Sequence, residues 1–372
     1  MSNQLKVYLP GLNGIRAIAA LAVVFSHTVL SFPAFGLHTT VFGVDSSGHL
    51  QGIPLAGHGV TMFFTLSGFL ITYLLLLEKE TGSINIRDFY IRRILRIWPL
   101  YYLYLFIGII VLVIFNYQFP WRSMPFYVFL AANIPFTLHT SIPIINHFWS
   151  IGVEEQFYLF FPHLAKLQNR KFLSMLIVLL GIMLIAKLSF YILSRKGYSS
   201  LPLEALNVTS FHIMFIGAIG GVLFYLKNPL FIKITTHIAT QIICWIIVFL
   251  IAINKFTLPA LIHPELVSLS TLCIIIGQIS GGKKVINLEN GILNFLGKIS
   301  YGIYIIHVLV LVLLSKMWPQ LNDNVWTYIW LSCLVLFLTV TLSYLSYEYY
   351  EKPFLRLKSR FGVIKSGSDN KS

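Results

Sequence analysis

Charge is what this sequence has least of. Asp, Glu, Lys and Arg make up 11% of its 372 residues, less than half the share of an ordinary soluble domain. With 57% hydrophobic residues and long uncharged runs throughout, a water-soluble globular fold is excluded. Acidic residues are the scarcer sign: 13 Asp+Glu face 27 Lys+Arg, a formal net charge of +14. In a soluble chain that excess would suggest nucleic acid. Here most bases sit in short segments between apolar runs, where they set topology and touch anionic lipid, which argues against nucleic acid as a partner. Cysteine is almost missing. Cys244, Cys273 and Cys333 each lie inside an apolar run without CxxC spacing, so neither a disulfide framework nor a zinc site is expected. Segments of about ten alternating residues, the mark of a transmembrane barrel, are also lacking. No repeat or soluble second domain is visible, and the only low-complexity tract is Ser366–Ser372, whose composition reads as disordered.

What is present is a series of apolar runs near the roughly 20 residues that a membrane helix needs. Ten candidates span Leu12–Leu30, Gly59–Leu77, Ile97–Phe115, Asn146–Phe161, Phe172–Leu193, Val208–Leu226, Ile234–Ile253, Leu258–Ile276, Ile292–Leu314 and Val325–Tyr347. The fourth is short and polar, and the eighth carries Pro264 and Glu265. Arg16 stands where the apolar core of a cleavable leader would begin, so the first run reads as a membrane helix. The expected fold is an all-α bundle of about ten transmembrane helices, multi-pass in the inner (plasma) membrane of a bacterial-type cell. With both termini cytoplasmic, twenty basic residues fall on the cytoplasmic side and five on the other, as the positive-inside rule requires. Residues 1–354 form the transmembrane domain and 355–372 a basic, disordered cytoplasmic tail. Two outer segments, Ser31–His58 and Asn116–Ile145, are long enough to be functional. The histidines of the first, His38, His49 and His58, lack metal-ligand spacing, and no metal is expected.

Several polar residues interrupt these runs. Arg16 and His27 are eleven positions apart, about three helical turns, so they share one face and stand roughly 16 Å apart along the axis. Either each is an interfacial or packing residue, or both face an internal cavity, where ionisable residues in spans usually belong. Arg92, Arg93 and Arg96 crowd one end of a helix by i,i+3 and i,i+4 spacing. They are topological anchors or an anion site, since guanidinium forks match phosphate. Ser150, Glu154 and Tyr158 line one face at i, i+4 and i+8, while Glu155 points elsewhere, towards an arginine. Ser300, Tyr304 and His307 share another face, for packing or for chemistry. Glu348 and Glu351 are placed to neutralise the arginine cluster, and Lys187 to snorkel. Ser67-Gly68 fits close helix packing better than a nucleophile elbow.

In order along the chain, these stretches resemble the acyltransferase-3 family of integral membrane O-acyltransferases, which includes O-antigen and other surface-glycan acetylases. The resemblance rests on Arg-x10-His in the first span (Arg16, His27), Gly59 to Ile71, Phe89 to Pro99, Phe148 to Pro162, Ser300 to His307, and Glu351 with Pro353. It covers nearly the whole chain. It implies ten spans and an acyl-CoA donor, most often acetyl-CoA, at the cytoplasmic face, held in part by Arg93 and Arg96. It also implies an essential Arg-x10-His with His27 as the leading catalytic group. The chain departs from the family at Thr61, where an acid is common. Relatives that acetylate peptidoglycan often carry an extra hydrolase-like domain. The sequence ends soon after its last apolar run, so direct transfer to the acceptor is expected.

The expected chemistry follows. A thioester needs little activation, whereas an acceptor hydroxyl does, and neutral imidazole is a suitable base. His27 acts as general base towards a hydroxyl of a cell-surface or lipid-linked glycan such as O-antigen, or accepts the acyl group transiently. Glu154 orients His27 or a nearby group, Arg16 binds donor or stabilises developing charge, Arg92 joins Arg93 and Arg96 at the donor, and Ser150, Tyr158, Tyr304 and His307 are candidates for binding the substrate. The alternatives are a transporter or flippase of a lipid-linked sugar, and an acyltransferase on a small cytoplasmic acceptor. The sequence carries no signal for oligomeric state.

Overall fold

The structure, a computed structural model, describes residues 5–43, 52–256, 258–259, 261–282, 284–362 and 364–366. His49 and residues 367–372 of the expected tail lie outside them. The described chain is almost entirely helical. Six helices position the site: α1 (Leu12–Ser31), α2 (Leu55–Glu80), α3 (Ile86–Ile114), α4 (Trp149–Ala165), α5 (Ser300–Met317) and α6 (Lys352–Lys358). Asparagine opens several helices. The side chains of Asn85, Asn228, Asn290 and Asn324 each accept a backbone N–H of the first turn, satisfying a donor that the helix itself leaves open.

Seven helices among the described residues are long and apolar enough to cross a membrane. An eighth crossing is available if Pro229–Thr236 and Ile238–Ala252, bent by 58°, count as one. The fourth and eighth expected spans appear as helices of 17 residues each, α4 and His263–Ile279. Each is roughly 26 Å long at 1.5 Å per residue, short of a full hydrocarbon core.

Small residues set a close helix contact. A Cβ on Gly68 of α2 would lie 2.1 Å from the Met214 carbonyl oxygen, and one on Gly217 would lie 2.1 Å from that of Thr65. Only hydrogen fits at both positions, and this brings α2 against the Phe211–Tyr225 helix. Gly68 is thus a packing residue, as the sequence suggests, while Ser67 turns the other way.

Two details differ from the sequence reading. Lys187 does not snorkel: it is 2% exposed and donates to Glu265 at 2.7 Å, with His212 Nε2 3.1 Å from the same carboxylate oxygen. A cation with a carboxylate in reach is better paired inside the bundle than stretched towards an interface. Beyond residue 354 the chain forms α6, a 3-10 turn at Ser359–Phe361 and a strand at Ile364–Ser366. That strand pairs in parallel with Leu5–Val7, so both ends of the described chain meet beside the start of α1.

Candidate active site

The start of α1, the end of α2, the start of α3, the end of α4 and the start of α5 gather at one end of the bundle. Lys79, near the end of α2, donates to the Ala165 carbonyl at the end of α4, and Tyr301 on α5 donates to the Ile97 carbonyl of α3. Between them lies a cavity of about 190 Å³ lined by Arg16, Arg93, Arg96, Ser67, Ser150, Glu154, Tyr158 and Tyr304, among others. Helical spacing places Ser150, Glu154 and Tyr158 on one face of α4, and all three reach this cavity. Ser67 Oγ donates to Glu154 Oε1 at 2.6 Å. Arg93 lies over the rings of Tyr158 and Phe89, 4.7 and 5.4 Å from their centroids, a cation–π arrangement that holds the guanidinium without neutralising it. Arg16 Nη1 donates to Asn13 Oδ1 at 3.0 Å. Three arginines therefore face one carboxylate in a largely apolar enclosure.

A smaller adjoining cavity of about 70 Å³ shares Arg93 and Arg96 and adds Glu78, Phe89, Arg92 and Lys358. Arg92 is engaged by protein: it donates to Glu78 Oε2 at 2.6 Å and to the Phe361 carbonyl at 2.8 Å. The acid that pairs directly with the arginine cluster among the described residues is Glu78, through Arg92. Of the expected pair, Glu348 is taken by Lys352, and Glu351 accepts from Ser346 at 3.2 Å. Glu155 forms no ion pair with an arginine among the described residues: the Trp98 indole donates to its Oε2 at 2.9 Å, and its buried Oε1 has no hydrogen-bond partner there. On α3, Trp98 lies two residues past Arg96, so it faces away from the arginine stripe.

His27 does not line the large cavity. It belongs to a group of three histidines deeper in the bundle. His27 Nδ1 and His307 Nε2 are 2.7 Å apart, with the rings stacked at 5.0 Å. His147 is 2% exposed, and its ring centroid lies 5.3 Å from that of His307. Tyr304 connects the two regions. It lines the cavity, its ring is 6.1 Å from His307, its hydroxyl donates to the His147 carbonyl at 2.9 Å, and Ser150 Oγ is 2.6 Å from the same hydroxyl. Since the Tyr304 proton goes to a carbonyl, Ser150 is the donor of that last pair.

The backbone fixes the histidine protons by the same logic. His307 Nδ1 is 3.2 Å from the Ile303 carbonyl. A carbonyl only accepts, so a neutral His307 carries its proton on Nδ1 and offers the Nε2 lone pair. His27 then donates from Nδ1, which leaves its own Nε2 unprotonated, and that atom has no partner among the described residues. His147 donates from Nε2 to the Ile305 carbonyl at 3.2 Å, leaving a buried, unpaired Nδ1.

His147, Glu78 and Lys358 escape the sequence reading, and Ser67 enters it only as a packing neighbour of Gly68. His147 stands three positions before Ser150, so helical spacing alone could have placed it with the polar face. Ser67 and Lys358 carried no local signal: the first is hidden by the packing role of Gly68, and the second lies in the segment read as a loose tail.

The acyltransferase domain of the acyltransferase-3 family matches residues 9–348. The curated relatives include a "Putative O-acetyltransferase" of Staphylococcus aureus (strain COL), 28% identical over 93% of this chain and 57% of the relative. A "Putative peptidoglycan O-acetyltransferase" of Bacillus subtilis (strain 168) is 27% identical over 93% of this chain and 55% of the relative. A "Peptidoglycan O-acetyltransferase" of Listeria monocytogenes is 30% identical over 47% of this chain and 28% of its own. The chain thus spans a little over half the length of the first two. No solved structure matches it. With a family match across nearly the whole helical bundle and a polar interior built from the stretches that carry it, the chain belongs to the acyltransferase-3 family.

Proposed function

We propose that this chain is a membrane O-acyltransferase that moves an acyl group, acetyl in the simplest case, from acyl-CoA to a hydroxyl of a cell-surface glycan. The observation that carries the reading is a cation-lined cavity whose wall residue Tyr304 also borders the His147–His307–His27 group, where the Nε2 lone pair of His27 is left without a partner among the described residues. The cations suit a phosphate-bearing donor, with Arg93 and Arg96 as its ligands. The lone pair suits deprotonation of an acceptor. Relatives named for an acceptor are named for peptidoglycan, which favours a cell-wall glycan over the O-antigen that the resemblance alone suggested.

In this mechanism the acceptor hydroxyl gives its proton to His27 Nε2 as its oxygen attacks the thioester carbonyl. A C–O bond forms, the C–S bond breaks, and the proton passes from His27 to the departing thiolate. General base catalysis of this kind typically contributes 10²–10⁴-fold. His307 holds the His27 tautomer, Arg16 offsets negative charge at the donor, and Glu154 with Ser67 fixes the cavity wall opposite Arg93. Tyr158 packs under Arg93.

We further read the chain as crossing the plasma membrane ten times with both termini in the cytoplasm. The seven long helices and the bent pair account for eight of these crossings, and in this reading α4 and His263–Ile279 make the other two. The short pair cross where neighbouring helices shield their ends. Donor then enters at the arginine end and acceptor at the His27 end.

Mass spectrometry of glycans from cells expressing the wild type or His27→Ala tests the function. An acetyl increment that disappears in the variant, with equal membrane insertion, supports it. Unchanged acetylation in the variant refutes the assignment of His27, and loss of the whole polymer without the protein would point to transport.

A further inference from the structure

The cations of the two joined cavities are unevenly employed. Arg92 is spent on Glu78 and the Phe361 carbonyl, and Arg93 stacks between Phe89 and Tyr158. Arg96 and Lys358 have no hydrogen-bond or ion-pair partner among the described residues, yet both line the smaller cavity and neither is fully exposed. Across both cavities five cations (Arg16, Arg92, Arg93, Arg96, Lys358) meet two carboxylates, Glu78 and Glu154, a formal excess of three. Positive charge enclosed by apolar walls is costly unless an anion answers it.

Lys358 arrives from an unexpected direction. It is the last residue of α6, in the segment after the final long helix. Arg92 grips the Phe361 carbonyl three residues further on, so α6 is fastened against the start of α3 by a bond that does not use the ammonium of Lys358. The fastening explains why an arginine of the cluster is tied to backbone rather than open to ligand: it sets the height at which Lys358 meets the cavity.

We propose that Lys358 is a direct ligand of a phosphate group of the donor, facing Arg96 across the smaller cavity, and that the segment beyond residue 354 is therefore part of the donor site. The proposal rests on the reading of a phosphate-bearing donor. Lys358 supplies a point charge and Arg96 a planar fork, the usual pairing around a terminal phosphate. Arg92 is a positioning residue in this arrangement.

Binding of acetyl-CoA to the full chain in neutral phosphatidylcholine nanodiscs tests it, comparing the wild type with Lys358→Gln, Lys358→Arg and Arg356→Gln. Arg356 is exposed on the same helix and lines neither cavity. Lys358→Gln should raise Kd about 10- to 100-fold, the worth of a charge-assisted hydrogen bond. Lys358→Arg should stay close to wild type, as should Arg356→Gln, whose charge is screened by water. Wild-type Kd for Lys358→Gln, with the wild type binding well, overturns the proposal and spares the donor reading. An equal loss in Arg356→Gln overturns it as well, because the effect would then belong to the helix charge. Absence of acetyl-CoA binding in the wild type overturns both. If Lys358→Gln instead loses retained phosphatidylglycerol in native mass spectrometry while Kd for acetyl-CoA is unchanged, the ligand is a lipid headgroup and the proposal fails.

Discussion

Replacing His307 by Leu removes the acceptor of the 2.7 Å hydrogen bond from His27 while keeping the buried volume close to native. His307 is fully buried and does not line the donor cavity, so the change should act chiefly through its hydrogen bond to His27. A net hydrogen bond of about 0.5–1.5 kcal/mol corresponds to about a 2- to 13-fold shift in the balance of His27 tautomers, at 1.36 kcal/mol per tenfold. The maximal rate should fall measurably but by no more than that factor, because only the fraction of His27 whose proton moves to Nε2 loses its base. The donor KM should not move. His307→Gln, whose amide oxygen can accept from His27, should recover most of the rate. Acetyl transfer from radiolabelled acetyl-CoA, measured over a range of donor concentrations with purified protein in nanodiscs, reads both parameters. A full rate in His307→Leu, or a changed KM with an unchanged rate, would refute the argument that His307 sets the tautomer.

Two further outcomes follow from the geometry. Arg93→Ala should raise the donor KM roughly 10-fold or more while the saturated rate stays nearly constant, because it removes binding common to ground and transition states; a purely topological arginine would leave KM unchanged in the same kinetics. Removing one member of the buried pair, as in Glu265→Ala, should destabilise the protein by about 3–5 kcal/mol by stranding Lys187, and the double change Lys187→Met with Glu265→Gln should recover much of it; thermal unfolding in detergent compares the three.

What the sequence made legible was local. Spacing of i, i+4 and i+8 put Ser150, Glu154 and Tyr158 on one face of a helix, and the structure turns that face to the cavity. Three turns between Arg16 and His27 place both on the interior side of α1. The two nevertheless serve separate regions, one at the cavity and the other against His307. That division depends on where α4 and α5 cross α1, which no spacing within one helix encodes. Pairings between helices were illegible for the same reason. Glu265 meets Lys187 from 78 positions away, Trp98 takes Glu155, and Glu78 rather than Glu348 pairs with Arg92. Charged residues inside an apolar run look alike from their own segment, and the neighbouring helix decides whether each is an anchor, an ion pair or a ligand. Lys358 was missed because a short basic helix after the last span has the composition of a loose tail.

The central claim is that donor at the arginine end and acceptor at the His27 end meet through one interior. Sealed proteoliposomes with the protein in a single orientation, and with glycan acceptor on the His27 side only, test it most directly. Radiolabelled acetyl-CoA supplied to the arginine side should label the glycan with wild type and leave it unlabelled with His27→Ala. Labelling that survives His27→Ala, or that requires acetyl-CoA on the same side as the glycan, would contradict the account.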